Sequence, residues 1–160
     1  MGSIRIGHGY DVHAFCKGDG FVLGGVSVSH TQAIAAHSDG DVLIHALCDA
    51  LLGAIGQGDI GQLFPDNVAQ NENRDSREFL CEIKLLIDNE NYRLGNADLT
   101  IVAQAPKMAA YIPAMKHNLA QDLDCQENQI NIKATTTEGL GFIGREQGIA
   151  VAAVVLLERC

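Results

Sequence analysis

Two residues apart on an extended chain, Asp11 and His13 would point to the same side and could reach one ion together. They lie in His8-Gly-Tyr-Asp11-Val-His13, which also reads as a polar loop whose aspartate caps a turn. A second cluster follows: His37, Ser38, Asp39, Asp41, His45 and Asp49. Asp41, His45 and Asp49 repeat every four residues and so share a helix face. Asp39 or Asp41 suits the helix N-cap. His45 stands in the apolar part of this segment, between Ile44 and Ala46, where a histidine reads first as a satisfied core residue. Its reading changes if Asp11 and His13 approach it in space. Two histidines, one carboxylate and an open fourth position are the make-up of catalytic zinc. Asp49, one turn on, is then placed to orient the His45 ring.

Three more segments carry chemistry. Gly58-Asp59-Ile60-Gly61-Gln-Leu-Phe64-Pro65-Asp66 sets glycines around an aspartate, as where backbone approaches a ligand, or as a helix C-cap followed by a turn. Ala103-Gln104-Ala105-Pro106-Lys107-Met108 ends a strand and begins a helix, where main-chain N–H groups can hold a phosphate or a base edge. Lys133-Ala-Thr135-Thr136-Thr137-Glu138 offers three hydroxyls followed at once by a carboxylate. That suits phosphates bridged by a hard cation, because Mg²⁺ prefers one or two carboxylates plus substrate phosphates. Plain β-propensity also accounts for three threonines.

The elements that must hold these groups are readable from periodicity. Ser3 to Phe15 reads as a strand running into a functional loop, with Ile4 and Ile6 on one face. Phe21 to Val28 reads as a second strand, interrupted by Gly24-Gly25. Leu43, Leu47, Leu51 and Ile55 predict a helix over 41–55, stopped by Gly56 and Gly58. Asp75-Ser-Arg-Glu78 has the form of a capping box before Phe79, Leu80, Ile83, Leu86 and Ile87. Asp98 to Gln104 and Ile130 to Thr136 alternate as strands, and Pro113 opens a helix reaching about Leu123. Ile149 to Glu158 is a nearly unbroken β-prone run, as in a strand covered on both faces. The class is α+β, with a single mixed sheet and helices packed on one face. The other sheet face needs cover, which points to self-association.

Composition sets the frame. The 160 residues fit a single catalytic domain over 1–160, and 47% apolar residues supply a sizeable core. Eleven basic and twenty acidic residues give −9, which argues against a face that tracks nucleic acid. An anionic ligand would then need metal ions or backbone amides for its positive field. No apolar run is long enough for a membrane span, and no export signal is visible. Five widely spaced cysteines without C-x-x-C read as reduced thiols of a cytoplasmic protein, several of them in the core.

In this order the segments resemble the 2-C-methyl-D-erythritol 2,4-cyclodiphosphate synthase family. The matching runs are R-I-G-H-G-Y-D-V-H (Arg5 to His13), A-H-S-D-G-D (Ala36 to Asp41), H-A-L-C-D-A-L-L-G-A (His45 to Ala54), G-D-I-G-Q-L-F-P-D (Gly58 to Asp66), D-S-R (Asp75 to Arg77), A-Q-A-P-K-M (Ala103 to Met108) and K-A-T-T-T-E (Lys133 to Glu138). Each is weak alone; seven in register over the whole chain are very specific.

The resemblance implies a homotrimer with its sheets facing the three-fold axis and active sites between subunits. It implies cyclisation of 4-diphosphocytidyl-2-C-methyl-D-erythritol 2-phosphate with release of CMP, in non-mevalonate isoprenoid biosynthesis. By the same resemblance, Asp11, His13 and His45 bind Zn²⁺, and Glu138 binds Mg²⁺ or Mn²⁺ through the substrate phosphates. His37 and Thr136 act in catalysis, and Ser38, Thr135 and Thr137 lie with the phosphates. The cytidine pocket comprises Ala103, Gln104, Ala105, Pro106, Lys107, Met108 and Ala109. Asp59, Ile60, Gly61, Phe64, Pro65 and Asp66 hold the methylerythritol part. Phe142 and Arg145 match positions near an apolar channel on the three-fold axis that can hold an isoprenoid diphosphate in related trimers. Two departures stand out: Asn67 and Val68 follow F-P-D where Thr-Asp is common, and Gly139 replaces a common lysine beside the phosphates. The same ligands would also serve a metal-dependent hydrolase of a nucleotide diphosphate, and a non-catalytic trimer that binds isoprenoid diphosphates is a further alternative.

Overall fold

The computed structural model describes residues 3–65, 67–71 and 73–160. A five-stranded mixed sheet carries the fold, in the order β4-β1-β7-β5-β6. These are β1 (Ile4–Lys17), β4 (Gln32–Ile34), β5 (Tyr92–Val102), β6 (Ile130–Thr135) and β7 (Gly148–Arg159). β1, β7 and β5 pair antiparallel, β4 joins β1 antiparallel, and β6 joins β5 in parallel. A separate hairpin of β2 (Phe21–Leu23) and β3 (Val26–Val28) turns at Gly24-Gly25. The interrupted strand read over 21–28 is thus two strands folded on each other, because both glycines adopt positive φ.

Helix α1 (Val42–Ile55) lies on β1 and β7 and buries eleven of its residues. It is therefore a core helix rather than an amphipathic surface helix. Asp41 caps its start, and Gly56 at φ 73 ends it. Helix α3 (Ser76–Asn89) packs Phe79, Leu80, Ile83 and Ile87 inward. Its capping differs from the reciprocal box: Asp75 accepts from the Arg77 N–H, while Glu78 pairs with Arg74. Helix α4 (Ile112–Asp122) has proline in its first turn and makes the crossover from β5 to the parallel β6. Arg77 binds Asp122 through two 2.7 Å contacts and ties α3 to α4. Short helices α2 (Ile60–Leu63) and α5 (Gly141–Gly144), and strand β4, lie in segments whose brevity leaves no periodic signal.

The sheet has two unlike faces. Along β7, Ile149, Val151, Ala153, Val155 and Leu157 are buried beneath the helices. The chain itself leaves the opposite face partly open, so this strand is covered on one face rather than two. Ile4, Ile6, Tyr10 and Val12 of β1 and Val154 of β7 are exposed there, by 43–66%. Of the cysteines, Cys48 alone is fully buried; Cys16 and Cys125 are half-buried, and Cys81 and Cys160 exposed.

Candidate active site

Strand β1 runs through the whole motif His8 to His13, so Asp11 and His13 sit in regular sheet rather than in a loop. Both share the inner face with Gly7 and Gly9 and point toward α1. His45, on the first turn of α1, completes a cluster. Asp11 Oδ2 lies 2.9 Å from His13 Nε2 and 3.2 Å from His45 Nδ1, and the two ring nitrogens are 3.4 Å apart. Among the described residues, these three form the one group of histidine, cysteine or carboxylate side chains able to share an ion.

The donor set and its spacing fit a divalent metal. Four ligands at about 2.0–2.1 Å from an ion stand about 3.3–3.4 Å from one another. His13 Nδ1 faces the Ala35 carbonyl at 3.2 Å, an atom that can only accept. The Nδ1 proton is therefore committed outward, and Nε2 faces the carboxylate with its lone pair unless a proton or metal intervenes. Burial opposes the Asp11 charge, yet His13 and His45, protonated at acid pH, outweigh it by hydrogen bonding and charge and hold its pKa at about 2. The Asp11 bond raises His13 above the ordinary imidazole value. An anion is thus kept at the centre of the cluster over the whole neutral range.

The cluster opens into a cleft of about 360 Å³. His37 and Ser38, Ile60, Gly61 and Phe64 line it, together with Ala35, Asn71 and Phe79. Ser38 Oγ stands 3.3 Å from His45 Nε2. Phe64 and Phe79 stack at 4.4 Å, and the Arg74 guanidinium lies over Phe79, 4.7 Å from its centroid. Phe79, read from sequence as core of α3, thus also closes the apolar side of the cleft. Pro65 follows, half-buried; Asp66 lies outside the described residues.

Three aspartates of these motifs are engaged by backbone N–H groups. Asp49 accepts the Ile60 N–H at 2.8 Å and so fixes the start of α2, and this bond rather than one to the His45 ring holds its carboxylate. Asp59 caps α2 by accepting from the Gln62 N–H and does not line the cleft. Asp41 is wholly buried and accepts from Gly24, Gly25 and Ile44 N–H groups at 2.7–3.0 Å. It pins the hairpin to α1 and takes no part in the cluster, although it shares the four-residue spacing.

The other candidate residues gather apart from the cluster, at one end of β5 and β6. Ala103 N–H bonds Thr135 O, and Gly139 N–H bonds Gln104 Oε1, so the 103–109 segment and the threonine run form one surface. Ala103 and Met108 are buried; Gln104, Ala105 and Pro106 are half-buried; Lys107 and Ala109 are exposed. Thr135, Thr136 and Glu138 are exposed, and the Thr136 hydroxyl donates to Glu138. Thr137 donates to the Leu140 carbonyl. Glu138 holds φ 54, a left-handed conformation uncommon outside glycine and enriched at ligand sites. Strand register measures the separation: Thr135 pairs Val102, Val102 pairs Ala150, and Ala150 pairs Val12. Three strand spacings put Thr135 about 14 Å from Val12. Phe142 returns toward β1 and lines a small hollow with Val12, His13 and Ala14, while Arg145 contacts Gln147.

Known proteins resemble the chain along its whole length. The model of the YgbB family matches residues 4–158. The 2-C-methyl-D-erythritol 2,4-cyclodiphosphate synthase of Thioalkalivibrio sulfidiphilus is 60% identical over 99% of both chains. That of Cellvibrio japonicus is 58% identical over 98% of both. Among solved structures, the CDP complex of Plasmodium falciparum IspF superposes with a TM-score of 0.88 at 38% identity, over 99% of this chain and 98% of that one. The bifunctional IspDF of Campylobacter jejuni gives 0.94 at 45% identity, over 98% of this chain and 42% of that one. With the three-residue cluster able to hold a metal, the cleft and this likeness in hand, the chain belongs to the YgbB family, the family of the 2-C-methyl-D-erythritol 2,4-cyclodiphosphate synthases.

Proposed function

We propose that the chain is a phosphorus–oxygen lyase that cyclises 4-diphosphocytidyl-2-C-methyl-D-erythritol 2-phosphate to 2-C-methyl-D-erythritol 2,4-cyclodiphosphate and releases CMP. The observation that carries this reading is the convergence of Asp11, His13 and His45 on one cleft, in a chain aligned end to end with synthases of that name. An oxygen of the 2-phosphate attacks the β-phosphorus, and the bond from that phosphorus to the CMP oxygen breaks. The main obstacle is the approach of two anionic phosphates on a protein of charge −9.

Asp11, His13 and His45 hold Zn²⁺, whose chemistry is to neutralise and polarise phosphate oxygens. Glu138 holds Mg²⁺ or Mn²⁺ with the phosphates. His37 and Thr136 donate hydrogen bonds to charge that grows in the transition state. Ser38, Thr135 and Thr137 hold phosphate, and Ile60, Gly61, Phe64 and Pro65 take the methylerythritol part, a role the family resemblance extends to Asp59 and Asp66. Residues Ala103 to Ala109 take the cytidine; a relative's solved complex holds CDP. Most of the rate comes from positioning.

Within one chain the strand register sets Thr135 about 14 Å from Val12, beside the metal half, and the open apolar face of β1 and β7 calls for cover. Both facts favour a homotrimer whose sheets face the three-fold axis, each site joining the metal half of one protomer to the threonine half of the next. Phe142 and Arg145 then lie near the axis, beside a channel for an isoprenoid diphosphate. Residues 1–160 act as one catalytic domain in the cytoplasm, with the cysteines reduced; no helix among the described residues is long and apolar enough to cross a membrane.

The test is phosphorus NMR of the substrate incubated with zinc-loaded protein. A cyclic diphosphate plus CMP is expected. Open-chain phosphates would instead make the protein a hydrolase, and binding without CMP release would make it a non-catalytic trimer.

A further inference from the structure

His45 has a second nitrogen, and its surroundings decide which nitrogen carries the proton. Nε2 lies 2.9 Å from Ser76 Oγ, with Ser38 Oγ a longer partner at 3.3 Å. Ser76 opens α3 and is wholly buried. Its hydroxyl donates to Asp39 Oδ1, and its N–H donates to Asp39 Oδ2 at 2.9 Å. Asp39 is held in turn by the Asp41 N–H at 3.1 Å. A hydroxyl has one proton, and here it goes to the carboxylate. Only lone pairs of Ser76 Oγ remain for the imidazole, so the shorter of the two contacts is a donation from His45 Nε2. Its Nδ1 then faces Asp11 and His13 unprotonated.

We propose that Asp39 and Ser76 are positioning residues that fix His45 as the Nε2–H tautomer and keep Nδ1 available as a metal ligand. This rests on the reading of Asp11, His13 and His45 as the metal site. The arrangement is a carboxylate–hydroxyl–imidazole chain that reaches the ion from α3, thirty-one residues further along the sequence. It gives the D-S-R segment a role beyond starting a helix. It also makes the His45 ring rigid from both sides before metal arrives.

Two measurements test the relay on the full chain. Long-range ¹H–¹⁵N NMR of the metal-stripped protein at about pH 8, above the ordinary imidazole range, should show His45 Nδ1 unprotonated and Nε2 protonated. Chelator competition with Zn²⁺ should show Ser76→Ala binding about 10–100-fold more weakly than wild type, with mixed His45 tautomers. Asp75→Ala is the control: it removes the α3 cap, a bond from the Arg77 N–H, yet should leave tautomer and affinity unchanged. A wild-type His45 protonated on Nδ1 would overturn the relay whether or not Ser76→Ala folds. So would a folded Ser76→Ala with wild-type tautomer and an affinity within about twofold. Wild-type protein that binds no Zn²⁺ would instead remove the metal-site reading, while the metal-free spectrum would still decide the tautomer.

Discussion

The carbonyl oxygen of Ala46 lies 1.9 Å from the point where a Cβ on Gly9 would stand. Gly7 meets the Ala50 carbonyl in the same way, at 1.7 Å. Helix α1 therefore rests on the bare backbone of β1, and this contact brings His45 down to Asp11 and His13. Glycine is required here because no side chain fits between strand and helix.

Gly9→Ala should lift α1 from β1 and open the ligand triangle. The expected cost is about 3 kcal/mol of stability, as for severe overpacking, with a loss of Zn²⁺ affinity larger than the stability loss explains. Gly53→Ala, on the same helix, is the contrast. Its Cβ would meet only the His8 carbonyl at 4.0 Å, and the gain in helix propensity should stabilise by up to about 1 kcal/mol. Urea titrations with chelator competition on both variants check the pair.

His45→Ala should lose metal and turnover while α1 stays formed. Alanine is the best helix former, and the neighbours Ile44 and Ala46 keep the helix in the core. Metal analysis after gel filtration, with circular dichroism for the fold, decides it. Wild-type zinc content in a folded His45→Ala protein would refute the ligand assignment.

Much of this arrangement was legible in residue order, and the rest was not, for physical reasons. Asp11 and His13 obey the two-residue strand period, and Leu43 to Ile55 the helical one, so periodicity alone puts each ligand on an element. Periodicity cannot say which polar residue on a shared helix face turns inward to a ligand. Asp41 and Asp49 share the spacing of His45, but each is captured by backbone N–H groups of a neighbouring segment. Ser76 had the opposite fate. It looked like one residue of a helix start, and only tertiary packing brings it onto the far nitrogen of His45. The short α2 and β4 escaped because three or four residues carry no period.

The proposed sharing of active sites between protomers predicts complementation. His45→Ala removes the metal half of a site, and Glu138→Ala removes the cation half that sits with the threonines. Each homotrimer should be nearly inactive. Unfolding and refolding an equal mixture should restore about a quarter of wild-type activity, because in a closed trimer half the metal halves and half the threonine halves are intact and they pair at random. Activity in the mixture no higher than the sum of the separate variants would rule out sites shared between protomers. Sedimentation velocity on the same samples reports whether trimers formed.

Asp41 gives a stability prediction that runs against the usual carboxylate behaviour. Burial pushes its carboxyl above the ordinary range, against the three backbone N–H bonds that pull it down. The folded state thus binds this proton more readily than the unfolded chain does. The resulting stability is fully present below the unfolded value of about 3.9 and is lost as pH rises through the higher folded value. Asp41→Asn cannot titrate there, and its amide sets an N–H against the Gly24, Gly25 or Ile44 N–H groups. It should be less stable than wild type by about 2–3 kcal/mol at neutral pH. The gap should widen as pH falls from 7 towards 4, since only the wild type gains from protonation at this position. Urea unfolding of both proteins at several pH values measures the gap directly, and a gap that narrows on acidification would show that Asp41 is held as a stabilised anion instead.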